Sequence, residues 1–228
     1  MMFCYWHGTD RDLIREAVSA WQDHFSDFRV VGDTEVESII AKRFPGHLET
    51  YQKIRIPACK SDIARLVTLH EWGGLYVDCH CGIGDPQRIS QLLGNLDTFE
   101  LIVVDEDPKY RQNPKPDRLN PMNNIMFARK NSEIIVEWEK AAFRNLGNHW
   151  TIEKERGFFP YSVWSLTGAA NLKHIIMDGE WLALKADFAQ RVKIIPENLS
   201  PIVRNVHCSY RQPGMHWHER EKRELLFD

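Results

Sequence analysis

Short apolar runs alternate with longer stretches of helical periodicity along the first part of the chain, and that alternation predicts its elements. Phe3 to Trp6 is an apolar run ended by Gly8, which reads as a strand that delivers Trp6 and His7 to a loop. Thr9 or Asp10 can cap the helix that follows, where Leu13, Ile14, Ala17, Val18 and Trp21 recur at helical spacing and form one apolar face. Phe28 to Val31 is the next strand. Strand, helix and strand in this order form a βαβ unit, which favours a parallel sheet with its ligand site at the strands' carboxyl ends.

A second helix is predicted over Glu35 to Lys42, and Phe44 to Pro57, punctuated by Pro45, Gly46 and Pro57, reads as an irregular connection. From Ala58 to Trp72 the helical period is clear: Ile63, Leu66, Val67 and His70 share one stripe, and Asp62, Arg65 and Leu69 follow a neighbouring one. Asp62 and Arg65 therefore project together, one turn apart. Gly73 and Gly74 end this helix, and Leu75 to Val77 is a short strand that runs into Asp78, Cys79 and His80. Leu101 to Val104, Ile125 to Ala128 and Val192 to Ile195 are predicted strands, and Glu133 to Leu146 and Val163 to Ile176 predicted helices. Asp105 to Asn123, with four prolines and many charges, reads as an exposed loop or lid.

The expectation is one α/β domain with a mainly parallel sheet flanked by helices, since 228 residues exceed a minimal fold and fall short of two full domains. Hydrophobic residues at 43% and charged residues at 27% are ordinary globular proportions. A formal net charge of -3 argues against a nucleic-acid partner bound by bulk electrostatics. Basic residues from Arg204 and Arg211 to Arg220, Lys222 and Arg223 are interleaved with Glu219, Glu221 and Glu224, the pattern of a solvated tail. Cys4, Cys59, Cys79, Cys81 and Cys208 lack paired spacing, which suits a reducing compartment. No segment has the roughly twenty apolar residues of a membrane helix, and the start resembles no signal peptide, so a cytoplasmic location is expected unless another export route serves the chain.

Alternate residues at a strand's end point the same way, so Asp78 and His80 can converge on one divalent cation or one polar ligand. Alone, the triplet reads equally as a turn residue beside a surface histidine. The run KSDIARLVTLHEWGGLYVDCH changes that weighting. It resembles the signature of glycosyltransferases with a DXD sugar-binding motif, which reads SD, two residues, R, then GG, a hydrophobic residue, Y, a hydrophobic residue and D-x-D. Ser61, Asp62, Arg65, Gly73, Gly74, Tyr76 and Asp78 all fall in register. This family includes the initiating yeast mannosyltransferases and, more distantly, the large clostridial glucosylating toxins. The opening CYWHG, the helix ending AWQDHFSDFRV, Asn124 to Ala128 and Leu166 to Gly168 are also similar. One departure is that His80 stands where the family has its second aspartate; polypeptide N-acetylgalactosaminyltransferases carry a D-x-H version and are manganese enzymes.

The resemblance implies a GT-A fold and a retaining transfer of a hexose-type sugar from a nucleoside diphosphate sugar, UDP-linked, with a divalent cation, manganese or magnesium. It divides the chain into a nucleotide-sugar half over 1–104 and, over 105–228, an acceptor side with a C-terminal closing segment. By resemblance Asp78 contacts the ribose or sugar and helps hold the metal, and His80 takes the more direct metal position. His216, or else His207, supplies a third ligand. Trp6 stacks on uracil or is a core tryptophan. Asp62 and Arg65 meet sugar hydroxyls or phosphate oxygens, or form a surface ion pair. Tyr76 contacts sugar or ribose, or fills the sheet. Thr167 and Gly168 border the sugar pocket or cap a helix, and Trp217 touches the pyrophosphate or anchors the tail. No protein nucleophile or general base is required, so Arg65, Asp78 and His80 are the catalytic candidates. The acceptor, whether glycan, lipid-linked or protein, is open.

The alternative reading is a pseudoenzyme, a sugar-nucleotide- or protein-binding module in which His80 has ended turnover. A metal-dependent hydrolase drawn from the ten histidines finds no HExxH run or comparable motif.

Overall fold

The computed structural model describes residues 1–106, 119–180, 182–196, 202–205, 214 and 216–228. Its centre is a six-stranded sheet in the order β2-β1-β3-β6-β5-β7, built from β1 (Met2–Tyr5), β2 (Phe28–Val31), β3 (Gly74–Val77), β5 (Leu101–Asp105), β6 (Pro121–Ala128) and β7 (Val192–Pro196). β1 pairs in parallel with β2 and β3, and β5 with β7; β6 alone runs against its two neighbours. The sheet is thus mainly parallel, as the βαβ pattern implied. A second, two-stranded antiparallel sheet joins β4 (Cys81–Ile83) to β8 (Val203–Asn205).

The pleat sends alternate residues to two cores. Phe3, Tyr5, Tyr76, Val103 and Met126 face a cluster built with α2 (Asp33–Arg43), α4 (Pro57–Trp72) and α6 (Glu133–Arg156). Cys4, Leu75, Val77, Ile102 and Phe127 face the other, with α1 (Arg15–Gln22) and α5 (Pro86–Gly94). Strands covered on both faces must be apolar throughout, hence the short unbroken runs in the sequence. Gly73 and Gly74 both have positive φ, and a Cβ on Gly74 would lie 1.9 Å from the Met1 carbonyl oxygen. The glycine pair therefore does more than end α4: it lets β3 close against the start of β1.

Four expectations are corrected. The connection before α4 contains a short helix, α3 (Leu48–Gln52), because Tyr51 is fully buried there. The predicted helix over Val163 to Ile176 is two, α7 (Val163–Leu166) and α8 (Ala169–Ile176), broken where Thr167 turns its side chain to Asp62. β6 begins at Pro121, so Asn123 lies in a strand and not in the loop before it; the stretch 107–118 lies outside the described residues. The end of the chain is docked through Glu221, Leu226 and Phe227, while Arg204, Glu219, Lys222 and Arg223 are exposed as expected and Arg211 lies outside the described residues. Glu221 is buried and accepts the Val163 amide at 2.9 Å, and Leu226 and Phe227 enter the core.

α6 also runs ten residues past Leu146, where the apolar period stops and buried His149 and Glu153 take its place. The Glu153 carboxylate lies 3.1 Å from His149 Nε2 and accepts the amides of Leu226 and Phe227 at 2.9 and 3.2 Å. Glu153→Ala would orphan both buried amides and is expected to cost roughly 3 kcal/mol, since hydrogen bonds to charged groups and unpaired buried donors carry the larger penalties. Accelerated hydrogen exchange at the amides of Leu226 and Phe227, ahead of the α6 amides, is the measurement that checks it. No described helix is long and apolar enough to cross a membrane.

Candidate functional site

β1 and β3 run side by side, so their carboxyl ends place Trp6 and His7 near Asp78, Cys79 and His80; the Cys79 thiol donates to the Tyr5 carbonyl at 2.9 Å. α4 lays Ser61, Asp62 and Arg65 along the same edge, with Pro57 at its first turn. Together these border a cavity of about 590 Å³, closed on another side by Trp164, Gly168, His216 and Trp217. Of the residues singled out in the sequence, Trp6, Asp62, Arg65, Asp78, His80, Gly168, His216 and Trp217 line it. Tyr76 and Thr167 are fully buried behind it, and His207 lies outside the described residues.

The centre of the site is one buried charge network. Arg65, 3% exposed, donates through Nη2 to Asp78 Oδ1 at 2.9 Å, and its Nη1 stands 2.8 Å from Asp62 Oδ1 in an ion pair. That second contact lies off the hydrogen-bond direction, so Nε and Nη1 have no hydrogen-bond partner among the described residues. Tyr76 stiffens the arrangement: its hydroxyl donates to the same Asp78 oxygen at 2.9 Å and lies 2.8 Å from Ser61 Oγ, with its ring under the guanidinium. Asp62 accepts from Thr167 Oγ1 at 2.8 Å and from Asn123 Nδ2 at 3.0 Å. The surface ion pair considered for Asp62 and Arg65 is therefore replaced by a buried pair that extends to the half-buried Asp78.

Burial sets the protonation. It pushes Asp62 up to about 6, outweighing the pull of Arg65 and the hydrogen bonds from Thr167 and Asn123, with the Asp78 charge adding to the rise. Burial also opposes the charge on Arg65, but Tyr76, Asp78 and Asp62 hold it more firmly protonated than usual. Because Asp62 binds its proton more tightly folded than unfolded, its contribution to stability is present below the ordinary value of 3.8 and lost as pH rises through about 6. Asp62→Asn removes that dependence. The difference in unfolding free energy between variant and wild type is expected to move by about 2 kcal/mol in the variant's favour between pH 4 and pH 7. Urea melts at the two pH values check this, and a constant difference would refute it.

Asp78 and His80 offer a cation one carboxylate and one imidazole, a donor set that suits manganese-class ions. Asp78 Oδ1 is taken by Arg65 and Tyr76, which leaves Oδ2 as the ligand atom. Among the described residues no three such side chains gather tightly enough to hold a metal by themselves. The residues fit an ion that completes its shell with substrate phosphate oxygens, the habit of magnesium-class sites.

A second network was not foreseen. Asp33 Oδ1 accepts from Tyr5 and Tyr51 at 2.6 and 2.9 Å, Oδ2 lies 2.6 Å from His7 Nδ1, and buried Lys60 stands 3.8 Å away. Burial alone would raise the Asp33 carboxyl, but these donors and the Lys60 charge hold it well below the usual carboxylate range. The network fixes Tyr5 and His7, the residues flanking Trp6. Lys60 stood next to Ser61 in the motif run and was the available signal; Asp33 looked only like the start of a helix.

Comparisons with known proteins agree with the central motif. Residues 11–91 match the family model described as the glycosyltransferase sugar-binding region containing DXD motif. No curated protein matches the chain. Similar solved structures include the PaToxG glycosyltransferase (TM-score 0.45, 15% identity, 76% of this chain and 67% of that one). The catalytic domain of alpha-toxin from Clostridium novyi is similar at TM-score 0.44 and 10% identity, over 76% of this chain and 62% of that one. The UDP-bound glycosyltransferase domain from the YGT toxin gives TM-score 0.44 and 12% identity, over 90% and 58%. This chain therefore spans about three fifths to two thirds of those structures. The matched residues include β3, α4 and the Asp62, Arg65 and Asp78 they carry, so residues 11–91 resemble the glycosyltransferase sugar-binding region containing DXD motif, with His80 at the second acidic position.

Proposed function

We propose that the chain transfers a hexose-type sugar from a UDP-linked donor to an acceptor hydroxyl with retention of anomeric configuration, assisted by manganese or magnesium. The observation that carries this reading is the triad of buried Asp62 and Arg65 with half-buried Asp78, on one wall of a cavity whose other walls include Trp6 and Trp217. The volume of about 590 Å³ lies within the range of small-molecule sites.

In this reading Trp6 presents its face to the uracil ring. Asp62, oriented by Thr167 and Asn123, accepts from sugar hydroxyls. Arg65, on the cavity wall, turns its guanidinium charge toward sugar or phosphate oxygens. Asp78 Oδ2 and His80 would hold the cation, His216 being too far from them to complete a three-ligand set, and a bound cation would offset the charge of the diphosphate leaving group. The bond from the anomeric carbon to the diphosphate oxygen breaks, the acceptor oxygen bonds to that carbon on the same face, and the acceptor proton passes to the departing phosphate oxygen. Arg65 and the docked C-terminal segment, fixed through Glu221 and Glu153, hold that phosphate without moving at the moment of reaction.

Thermal unfolding and donor hydrolysis with a panel of nucleotide sugars, with and without manganese, test the reading. UDP and at least one UDP-sugar should raise the melting temperature, manganese should add to the rise, and EDTA should stop turnover. Binding without turnover under any cation would favour the pseudoenzyme, and no stabilisation by any nucleotide would end the proposal.

A further inference from the structure

We propose that Trp164 is the stacking platform of an acceptor subsite for a pyranose ring, so that the acceptor is a saccharide; this rests on the donor reading above. Trp164 reaches the donor-sugar seat through three contacts. Asp62 bonds to Thr167, Thr167 is followed by Gly168, and a Cβ on Gly168 would lie 3.0 Å from Trp164 Cα and 3.1 Å from its carbonyl oxygen. That close approach brings α7 against the residues expected to grip the donor sugar, on a different wall from Trp6 at the end of β1.

Trp164 lines the cavity and is nevertheless 37% exposed, whereas Trp21 and Trp138 are fully buried. Its ring is held in place by Lys173, a buried lysine 4.9 Å from the ring centroid that also bonds to Asn120. A half-exposed indole on the cavity wall suits a ligand that is apolar on one face and polar around its rim. A pyranose has that form: its axial C–H groups meet the negative face of the ring while its hydroxyls bond at the edge.

The test uses the whole chain, the UDP-sugar found in the donor panel, and p-nitrophenyl glycosides of glucose, galactose, mannose and N-acetylglucosamine as acceptor probes. Transfer to at least one glycoside is expected. Trp164→Ala should raise the acceptor KM about tenfold or more with the donor KM within about twofold, and Trp164→Phe should recover most of the loss. Saturation-transfer NMR of the same glycosides, with no donor present, should show binding that Trp164→Ala removes. If the protein turns over the donor but the glycosides neither bind nor accept, or only a peptide or a polyprenyl phosphate accepts, the proposal is overturned. Equal rises in both KM values would also overturn it. Glycoside binding through Trp164 in a protein that binds no nucleotide would retain the saccharide subsite and reject the donor reading.

Discussion

Replacing Arg65 by methionine is expected to lower the unfolding free energy by roughly 3 kcal/mol, because it leaves the buried Asp62 and the half-buried Asp78 without their shared cation. For a chain of 228 residues that corresponds to a fall in melting temperature on the order of 10 °C. Asp62 and Asp78 are joined only through the guanidinium, Asp62 through Nη1 at 2.8 Å and Asp78 through Nη2 at 2.9 Å. Burial already pushes Asp62 up to about 6 with Arg65 pulling the other way; without Arg65 it rises further and stays protonated at neutral pH. Arg65→Lys restores a charge but not the planar fork that reaches both acids at once, so it should recover part of the stability and little of the activity. Donor turnover should fall roughly 10²–10³-fold in both variants, the usual cost of losing one preorganised donor at a developing charge. Calorimetry of the two variants beside the wild type checks the stability claim, and a methionine variant melting within a degree or two of wild type would refute it.

The sequence made the motif-bearing core legible and left its support hidden, for a physical reason. β1, α4 and β3 carry unbroken apolar runs or a clean helical period, and the motif residues lie on them at fixed spacing. Where burial is polar, the pattern fails. Glu153 and His149 in α6 look like surface residues because nothing local shows that Leu226 and Phe227 bring their amides to them. Thr167 breaks one predicted helix into two because its hydroxyl is spent on Asp62, more than a hundred residues away in sequence. Asp33 and Lys60 met the same obstacle: each would pass for a solvated charge until the ends of β1 and α4 are seen side by side. Long-range polar pairs have no period, and only the fold brings them together.

Asp78→Asn should separate chemistry from architecture. The amide keeps the carboxylate's shape, and its oxygen can still accept from Arg65 Nη2 and the Tyr76 hydroxyl, which hold Asp78 Oδ1 at 2.9 Å each. It also removes one of two acids, and the Asp78 charge is among the causes that raise Asp62, so Asp62 should move down from about 6. Each pKa unit of that movement is about 1.4 kcal/mol regained by the folded protein near neutral pH, which offsets the weaker pairing with Arg65. Stability should therefore change little while transfer falls roughly 10²–10³-fold. The decisive readout is the cation: in the wild type manganese should add to the stabilisation given by UDP, and in the variant UDP alone should still stabilise while the manganese increment disappears, because an amide NH2 that cannot ligate a cation replaces Oδ2. A variant that keeps more than about a tenth of wild-type turnover, or keeps the full manganese increment, would remove Asp78 from the cation site and leave it only the task of holding Arg65 in place.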